Sequence, residues 1–305
     1  MSLATPIYGQ AQHLGSRASS EAAGEKSAAP LTHFAAKRGG SGGQRNAPRD
    51  LGFCGGWICL FLFFCRLAAM AGESPAEAQF ATHARRIYEE ARKEHSVQPT
   101  NSALAWKFAR ACFDSAEFAK DNEERAELAQ QGIAACREVI ARDPKSGAAH
   151  YYLGMNLGQL ARTRGLSALK LVNEMEKEFS LAASLDDHFD FAGPDRNLGL
   201  LYRDAPSFGS IGSRSKARKH LTRAAELAPD YPENRLSLME SDIKWNDLNS
   251  ARHELKLLEG ILPKARTNLV GEDWASSWAD WNPRLEEAKK KIEAPPKSLD
   301  AHKRS

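Results

Sequence analysis

Small, large and proline positions recur at a fixed distance in the second half of the chain. Two segments, KARKHLTRAAELAPDYPEN and SARHELKLLEGILPKARTN, carry the same pattern 34 positions apart. The matched pairs are Ala217 and Ala251, Leu221 and Leu255, Ala224 and Leu258, and Pro229 and Pro263. Small residues let two helices approach closely, and a proline ends a helix because it lacks an N–H and clashes with the preceding turn. The pattern therefore predicts one helical hairpin per period.

A 34-residue period with these residue types is typical of the tetratricopeptide repeat, whose hairpins bury their apolar faces only against neighbouring hairpins. Working outward gives four units over 101–265, of which only the last, 232–265, has standard length. Leu153 and Gly154 mark the second unit, and Leu198, Gly199 and Tyr202 mark the third. We predict an all-α fold, a right-handed α-solenoid of tetratricopeptide-like hairpins.

The C-terminal part has a different pattern. Trp274, Trp278 and Trp281 lie on one face of a helix, and Asn282 with Pro283 resembles the start of a short charged helix. We predict that 266–294 forms capping helices that cover the last apolar face of the solenoid. A tryptophan lid over a ligand is the alternative. Residues 295–305 are predicted to be disordered.

The N-terminal part contains an uncharged apolar run, CGGWICLFLFFC, at 54–65. It is shorter than the roughly 20 residues that cross a bilayer as a helix. Residues 51–71 therefore suit a signal peptide cleaved after Ala71, with an uncleaved signal anchor or a buried core helix as alternatives. A signal peptide implies that the chain is exported, to the periplasm if the source is bacterial. Residues 1–50 are predicted to be disordered, and 72–100 to form an N-terminal helix and linker.

Charge and cysteine content exclude two classes of site. Residues 1–71 hold 7 of the 42 Lys and Arg and 3 of the 39 Asp and Glu, which leaves 35 basic and 36 acidic residues in the rest. A neutral body of mixed charge argues against nucleic-acid binding. Outside the apolar run only Cys112 and Cys136 occur, so a zinc site is not expected. They form either a disulfide or two buried free thiols.

The stretched helix connections, the ALKLV segment (Ala168 to Val172) and the loop from Ala205 to Gly212 resemble the T-component of TRAP-type transporter systems. The resemblance covers roughly 100–265. It implies a periplasmic, all-helical, oligomeric protein that binds small, often apolar, ligands and cooperates with a solute-binding protein. The chain also resembles, more distantly, the eukaryotic regulators of microtubule dynamics.

Catalytic motifs are missing from the sequence. Its histidines are scattered without metal-ligand spacing, and its serines lack a nucleophile elbow. The polar cluster Asp186–Asp190 is interpreted as a solvated turn, and the glycine-rich segment Ser207–Gly212 as a flexible helix connection rather than an anion site. We therefore expect no enzyme, no cofactor and no metal.

The first helices of successive hairpins line the concave surface of such a solenoid, and nine of their residues are candidate ligand contacts. They are Trp106, Arg110, Phe113, Tyr151, Met155, Asn156, Arg196, Asn197 and Arg203. Aromatic walls with guanidinium groups suit a small amphipathic acid or an extended peptide carboxylate. The alternative is that the aromatic residues only pack and the arginines are solvated.

The leading hypothesis is an exported binding protein of a solute-uptake system. The alternative is a peptide- or protein-binding scaffold, membrane-anchored if residues 51–71 are not cleaved.

Overall fold

The computed structural model describes residues 75–164 and 168–294, and those residues form ten α-helices and no strand. The predictions for 1–50, 51–71 and 295–305 lie outside the described residues. The helices are α1 Pro75–Val97, α2 Ser102–Glu117, α3 Asn122–Arg142, α4 Gly147–Arg162, α5 Leu169–Leu185, α6 Phe189–Asp204, α7 Arg214–Leu227, α8 Pro232–Lys244, α9 Leu248–Asn268 and α10 Glu272–Glu293. No described helix has the length and apolarity required to cross a membrane.

The helices pair as the period predicts. Hairpins α2–α3, α4–α5, α6–α7 and α8–α9 each pack on the next, α1 packs on α2, and α10 covers α8 and α9. Ala217, Leu221 and Ala224 are fully buried at the repeat positions of α7. The predicted all-α solenoid of helical hairpins is confirmed.

Two glycines fix the distance between paired helices. A Cβ atom on Gly199 of α6 would lie 2.6 Å from Cγ of Leu221 on α7. On Gly154 of α4 it would lie 2.6 Å from the ring of Phe179 on α5. The large residue of one helix therefore occupies the space that a side chain on its partner would need.

Side chains that accept hydrogen bonds begin five of the ten described helices. Asn101, Asp121, Ser146, Ser213 and Asp247 accept from backbone N–H groups of α2, α3, α4, α7 and α9. Such caps satisfy donors that have no partner within the helix. They explain why hairpins with connections of unequal length still begin at defined residues.

Two predicted helix ends were wrong. Pro263 was expected to end a helix, but α9 continues to Asn268. Asn282 was expected to begin a helix at Pro283, but α10 runs unbroken from Glu272. Both prolines are exposed, whereas Leu258 and Ala265 in the turns flanking Pro263, and Trp281 and Leu285 in those flanking Pro283, are buried. Packing of the flanking turns therefore holds the helix together across the lost hydrogen bond.

Helix α6 begins with an unusual backbone. Asp190, Phe191 and Ala192 have φ values of 54°, 54° and 59°, in the left-handed region. Each such residue without the freedom of glycine costs roughly 1–2 kcal/mol. Regular right-handed helix follows from Gly193, with Pro194 in its first turn, where a missing N–H has no cost. Surrounding contacts must therefore hold this left-handed turn.

Candidate functional site

The first helices of the hairpins contact one another in sequence, α2 with α4, α4 with α6, α6 with α8 and α8 with α10. Their touching faces form the inner side of the solenoid, where the nine candidate residues were placed. The left-handed turn of α6 lies at the centre of this side.

The carboxylate of Asp190 is the centre of a buried polar network. Its Oδ2 accepts hydrogen bonds from the hydroxyl of Tyr151 at 2.6 Å and from Nη2 of Arg196 at 3.1 Å. Nδ2 of Asn197 donates to the Tyr151 oxygen at 3.1 Å. Tyr151, Asp190 and Arg196 are completely buried. Burial, and secondarily the Asp190 charge, raises the pKa of Tyr151 well above its usual value.

The network also explains the left-handed turn. Nη1 of Arg196 donates to the carbonyl oxygen of Phe191 at 3.2 Å and to Oδ1 of Asn234 at 3.0 Å. Nδ2 of Asn234 donates to the same Phe191 oxygen at 3.0 Å. A Cβ on Gly193 would lie 2.6 Å from the Tyr151 hydroxyl, so that position requires glycine. The hydrogen bonds offset the strain of the turn, and the three predicted residues Tyr151, Arg196 and Asn197 are brought together.

A second cluster joins α2 to α4. The rings of Trp106 and Tyr152 stack with centroids 5.9 Å apart, and Phe189 meets Trp106 edge-on at 6.0 Å. Arg110 lies over the Tyr152 ring at 5.8 Å and directs Nε to Oδ2 of Asp114 at 3.3 Å. Trp106 and Phe189 are half-buried. These two rings are the part of the cluster that a partner can reach.

Two tyrosine hydroxyls of the inner side are buried without a hydrogen-bond partner among the described residues. They are the hydroxyls of Tyr152 and Tyr231. A buried donor without a partner costs roughly 1–3 kcal/mol. Tyr231 stacks on Phe191 at 4.4 Å and Tyr152 stacks on Trp106, so each hydroxyl belongs to a residue beside a half-buried ring.

Four other predicted residues pack or bond within the fold, away from Asp190. Phe113 and Met155 belong to the main hydrophobic cluster. Nδ2 of Asn156 donates to the carbonyl oxygens of Ala109 and Tyr152, each at 2.8 Å. Arg203 pairs with Asp204 near the surface, at 2.7 Å. These four are therefore not gathered around the central network.

Asp190 was not among the predicted site residues. The segment Asp186–Asp190 was interpreted as a solvated turn, and Asp186 and His188 are exposed as expected. For Asp190 the interpretation was wrong, because this carboxylate is fully buried beside Arg196. Phe189 and Phe191 on either side of it were the available signal, since phenylalanine is among the residues most often buried.

A separate groove of about 580 Å³ opens between α5 and α7. Its lining includes Asp187, Leu198, His220 and Arg223, and none of the nine predicted residues is among the described residues that line it. Nδ1 of His220 lies 2.7 Å from Oδ1 of the buried Asp195, and Arg223 pairs with Asp187 at 2.8 Å. Both side chains are thus already bonded to carboxylates of the chain.

No group of three or more His, Cys, Asp or Glu in 75–164 and 168–294 could hold a metal ion.

The thiols of Cys112 and Cys136 are free and buried, which leaves the predicted alternative of two small apolar residues. Burial raises the pKa of both thiols.

The fold and the inner network define a helical-repeat protein with a tetratricopeptide-like layout. Residues 74–191 match the family model described as regulator of microtubule dynamics protein 1-3. This is the more distant of the two predicted resemblances, and it covers α1 to α5 and the start of α6. The resemblance to the TRAP T-component is not confirmed. The comparison with curated proteins gives no match.

Solved structures of similar layout include TTC0263, a thermophilic TPR protein of Thermus thermophilus. It is 16% identical with a TM-score of 0.44, and the match covers 68% of this chain and 98% of that one. The MamA protein is 14% identical with a TM-score of 0.37, over 64% of this chain and 98% of that one. The fold described above rests on the helices of the chain itself.

Proposed function

We propose that this chain is a non-catalytic interaction scaffold whose inner surface binds an extended segment of a partner protein. The observation that carries this is the half-buried aromatic pair, Trp106 and Phe189, where α2, α4 and α6 meet. Aromatic side chains bury large apolar area on binding, with little loss of conformational entropy. The Trp106 ring stacks on the fully buried ring of Tyr152, which holds it in place.

The inner surface supports a peptide better than a small amphipathic acid. The acid requires guanidinium groups that are free to pair with its carboxylate. Arg196 is already bonded to Asp190, and Arg110 to Asp114, within the chain. Binding by an acid would have to compete with those internal pairs, whereas apolar side chains and peptide carbonyls need no such exchange.

Export through 51–71, attachment to a membrane and partnership with a solute-binding protein stay as proposals. The residues that would direct export lie outside the described part of the chain. The scaffold proposal is independent of them, since it depends on α2, α4 and α6.

A photo-crosslinking amino acid at position 106 of the full chain tests the proposal in cells. We expect a recurrent crosslinked polypeptide whose modified residues, mapped by mass spectrometry, fall in one short segment. Leu185, exposed at the end of the outer helix α5, is the matched control position. The same segment should not crosslink from position 185.

Phe189→Ala should reduce the crosslink at 106 by about tenfold, since the lost aromatic contact is worth roughly 1–1.5 kcal/mol. A small-molecule adduct at 106 with no polypeptide would instead favour the uptake-system hypothesis. Equal labelling from positions 106 and 185 would contradict both.

A further inference from the structure

At the contact between α10 and α8, the guanidinium group of Arg284 bonds to two carboxylates of α8 and to one of its own helix. Nη1 and Nη2 of Arg284 donate to Glu233 at 2.9 and 3.0 Å, and Nε and Nη2 donate to Glu240 at 2.9 Å each. Nη1 also donates to Asp280 at 2.6 Å. Only 11% of the Arg284 side chain, 8% of Asp280 and none of Glu233 are exposed. This Arg284 cluster joins residues more than 40 positions apart.

The Arg284 cluster has an unbalanced charge. Three ionised carboxylates around one guanidinium leave a net charge of −2 in a largely water-excluded contact. Like charges held this close disfavour simultaneous ionisation, and burial disfavours each charged form. One proton bound within the cluster reduces that repulsion without removing the hydrogen bonds of Arg284.

Among the described residues, the other charged groups around α10 are already bonded elsewhere or lie away from the Arg284 cluster. From α6, Arg196 acts on Glu233 but is bonded to Asp190. Glu259 of α9 pairs with Lys289 of α10 at 3.0 Å. Arg266 of α9 donates to Asn282 of α10 at 2.9 Å.

From α1, the groups facing α10 meet its first turn rather than the Arg284 cluster. His83 lies 3.2 Å from Glu272, and Arg86 lies 3.5 Å from the same carboxylate. Asp273 lies 3.7 Å from His83. Burial lowers the pKa of His83, so it contributes little positive charge near pH 7.

We propose that α10 is a proton-controlled cap: its docking on α8 takes up one proton into the Arg284 cluster, so docking weakens as the pH rises toward neutrality. The cap covers the end of the inner surface, where Trp274 and Trp281 pack on Tyr231 with ring centroids 6.3 and 5.6 Å away. Loosening of α10 would expose those rings. The device is independent of any partner bound at Trp106.

The direction of the pH effect on docking follows from the carboxyl group of Asp280. Burial, opposed by Arg284 and reinforced by Glu233 and Glu240, raises the pKa of this carboxyl from 3.8 to about 7. The docked state therefore binds a proton that the undocked state releases between these values. The stabilisation is fully present below pH 3.8 and is lost as the pH rises through about 7.

Hydrogen exchange of the full chain between about pH 5 and pH 8.5, corrected for intrinsic exchange rates, tests this. We expect protection of α10 to fall by about tenfold or more relative to α2 across that interval, since each unit of pKa difference corresponds to a tenfold change. Protection of α10 that tracks α2 at every pH would overturn the proposal.

Three variants separate proton uptake from simple packing. Asp280→Asn, which keeps the size of the side chain, should make protection of α10 independent of pH. Glu240→Gln removes one like charge at a partly exposed position, so the transition should move to lower pH. Glu259→Gln, at the α9–α10 contact outside the Arg284 cluster, should leave the transition in place. If Asp280→Asn does not fold, an unmoved transition in Glu240→Gln would still contradict the proposal.

Discussion

Asp190 and Arg196 form an ion pair in which neither side chain is exposed, with Nη2 of Arg196 3.1 Å from Oδ2 of Asp190. Their separation along the chain is six residues, and the left-handed turn lies between them. The pair therefore closes a loop of strained backbone onto the helix that follows it. It connects the α4 and α8 neighbours of that helix through Tyr151 and Asn234.

We predict that Arg196→Met lowers the free energy of unfolding by about 3–5 kcal/mol, because it leaves Asp190 charged and buried without its cation. Urea denaturation followed by circular dichroism measures the change. The control is Lys264→Met, which breaks an exposed pair with Asp230 and should cost less than about 1 kcal/mol. Equal effects of the two variants would show that burial of the pair does not matter.

Gly199→Ala should destabilise the chain by about 1–3 kcal/mol, since the added Cβ would lie 2.6 Å from Leu221. Gly260→Ala is the matched control, and its expected effect on stability is the opposite. Gly260 also lies within a helix, α9, but a Cβ there meets nothing within 4 Å. It should stabilise by about 0.5–1 kcal/mol through helix propensity. Thermal unfolding of both variants checks the pair, and a stabilised Gly199→Ala would contradict the packing described for α6 and α7.

Pro263→Ala should stabilise α9. The proline ring is exposed, so its removal costs no buried packing, and the alanine restores a backbone donor inside the helix. A proline within a helix costs up to about 3 kcal/mol, so we expect a gain of about 1–3 kcal/mol in denaturant melts. A loss of stability would contradict this expectation.

Cys112 and Cys136 should react slowly with a thiol reagent in the folded chain and rapidly in denaturant. Both side chains are fully buried, and burial raises the pKa of each thiol, so the reactive thiolate is scarce near neutral pH. Labelling with iodoacetamide, followed by peptide mass spectrometry, measures each site. Fast labelling of Cys112 in the native state would indicate that α2 opens locally.

The inner surface was only partly predictable. Tyr151, Arg196 and Asn197 were selected from their offsets to the Leu-Gly pairs, and the structure brings these three together. Asn156 was selected in the same way, from its offset to Leu153 and Gly154, but it bonds to the backbone of Ala109 and Tyr152. A repeat offset specifies the side of a helix but not which neighbouring group the side chain meets. That group belongs to another hairpin, at a connection whose length varies.

The sequence by itself determined the hairpins. Ala217, Leu221 and their counterparts 34 residues later are local requirements for close helix pairing, and each can be recognised without knowing its neighbours. Only the tertiary structure decided which charged side chains are buried and paired, and whether a helix continues through a proline. Asp190 is buried because Tyr151 of α4 and Arg196 of its own helix bond to its carboxylate, while Asn234 of α8 holds Arg196 in place. Helix α10 continues through Pro283 because its flanking turns pack on α8. Burial and pairing are properties of distant contacts, and a one-dimensional period does not contain them.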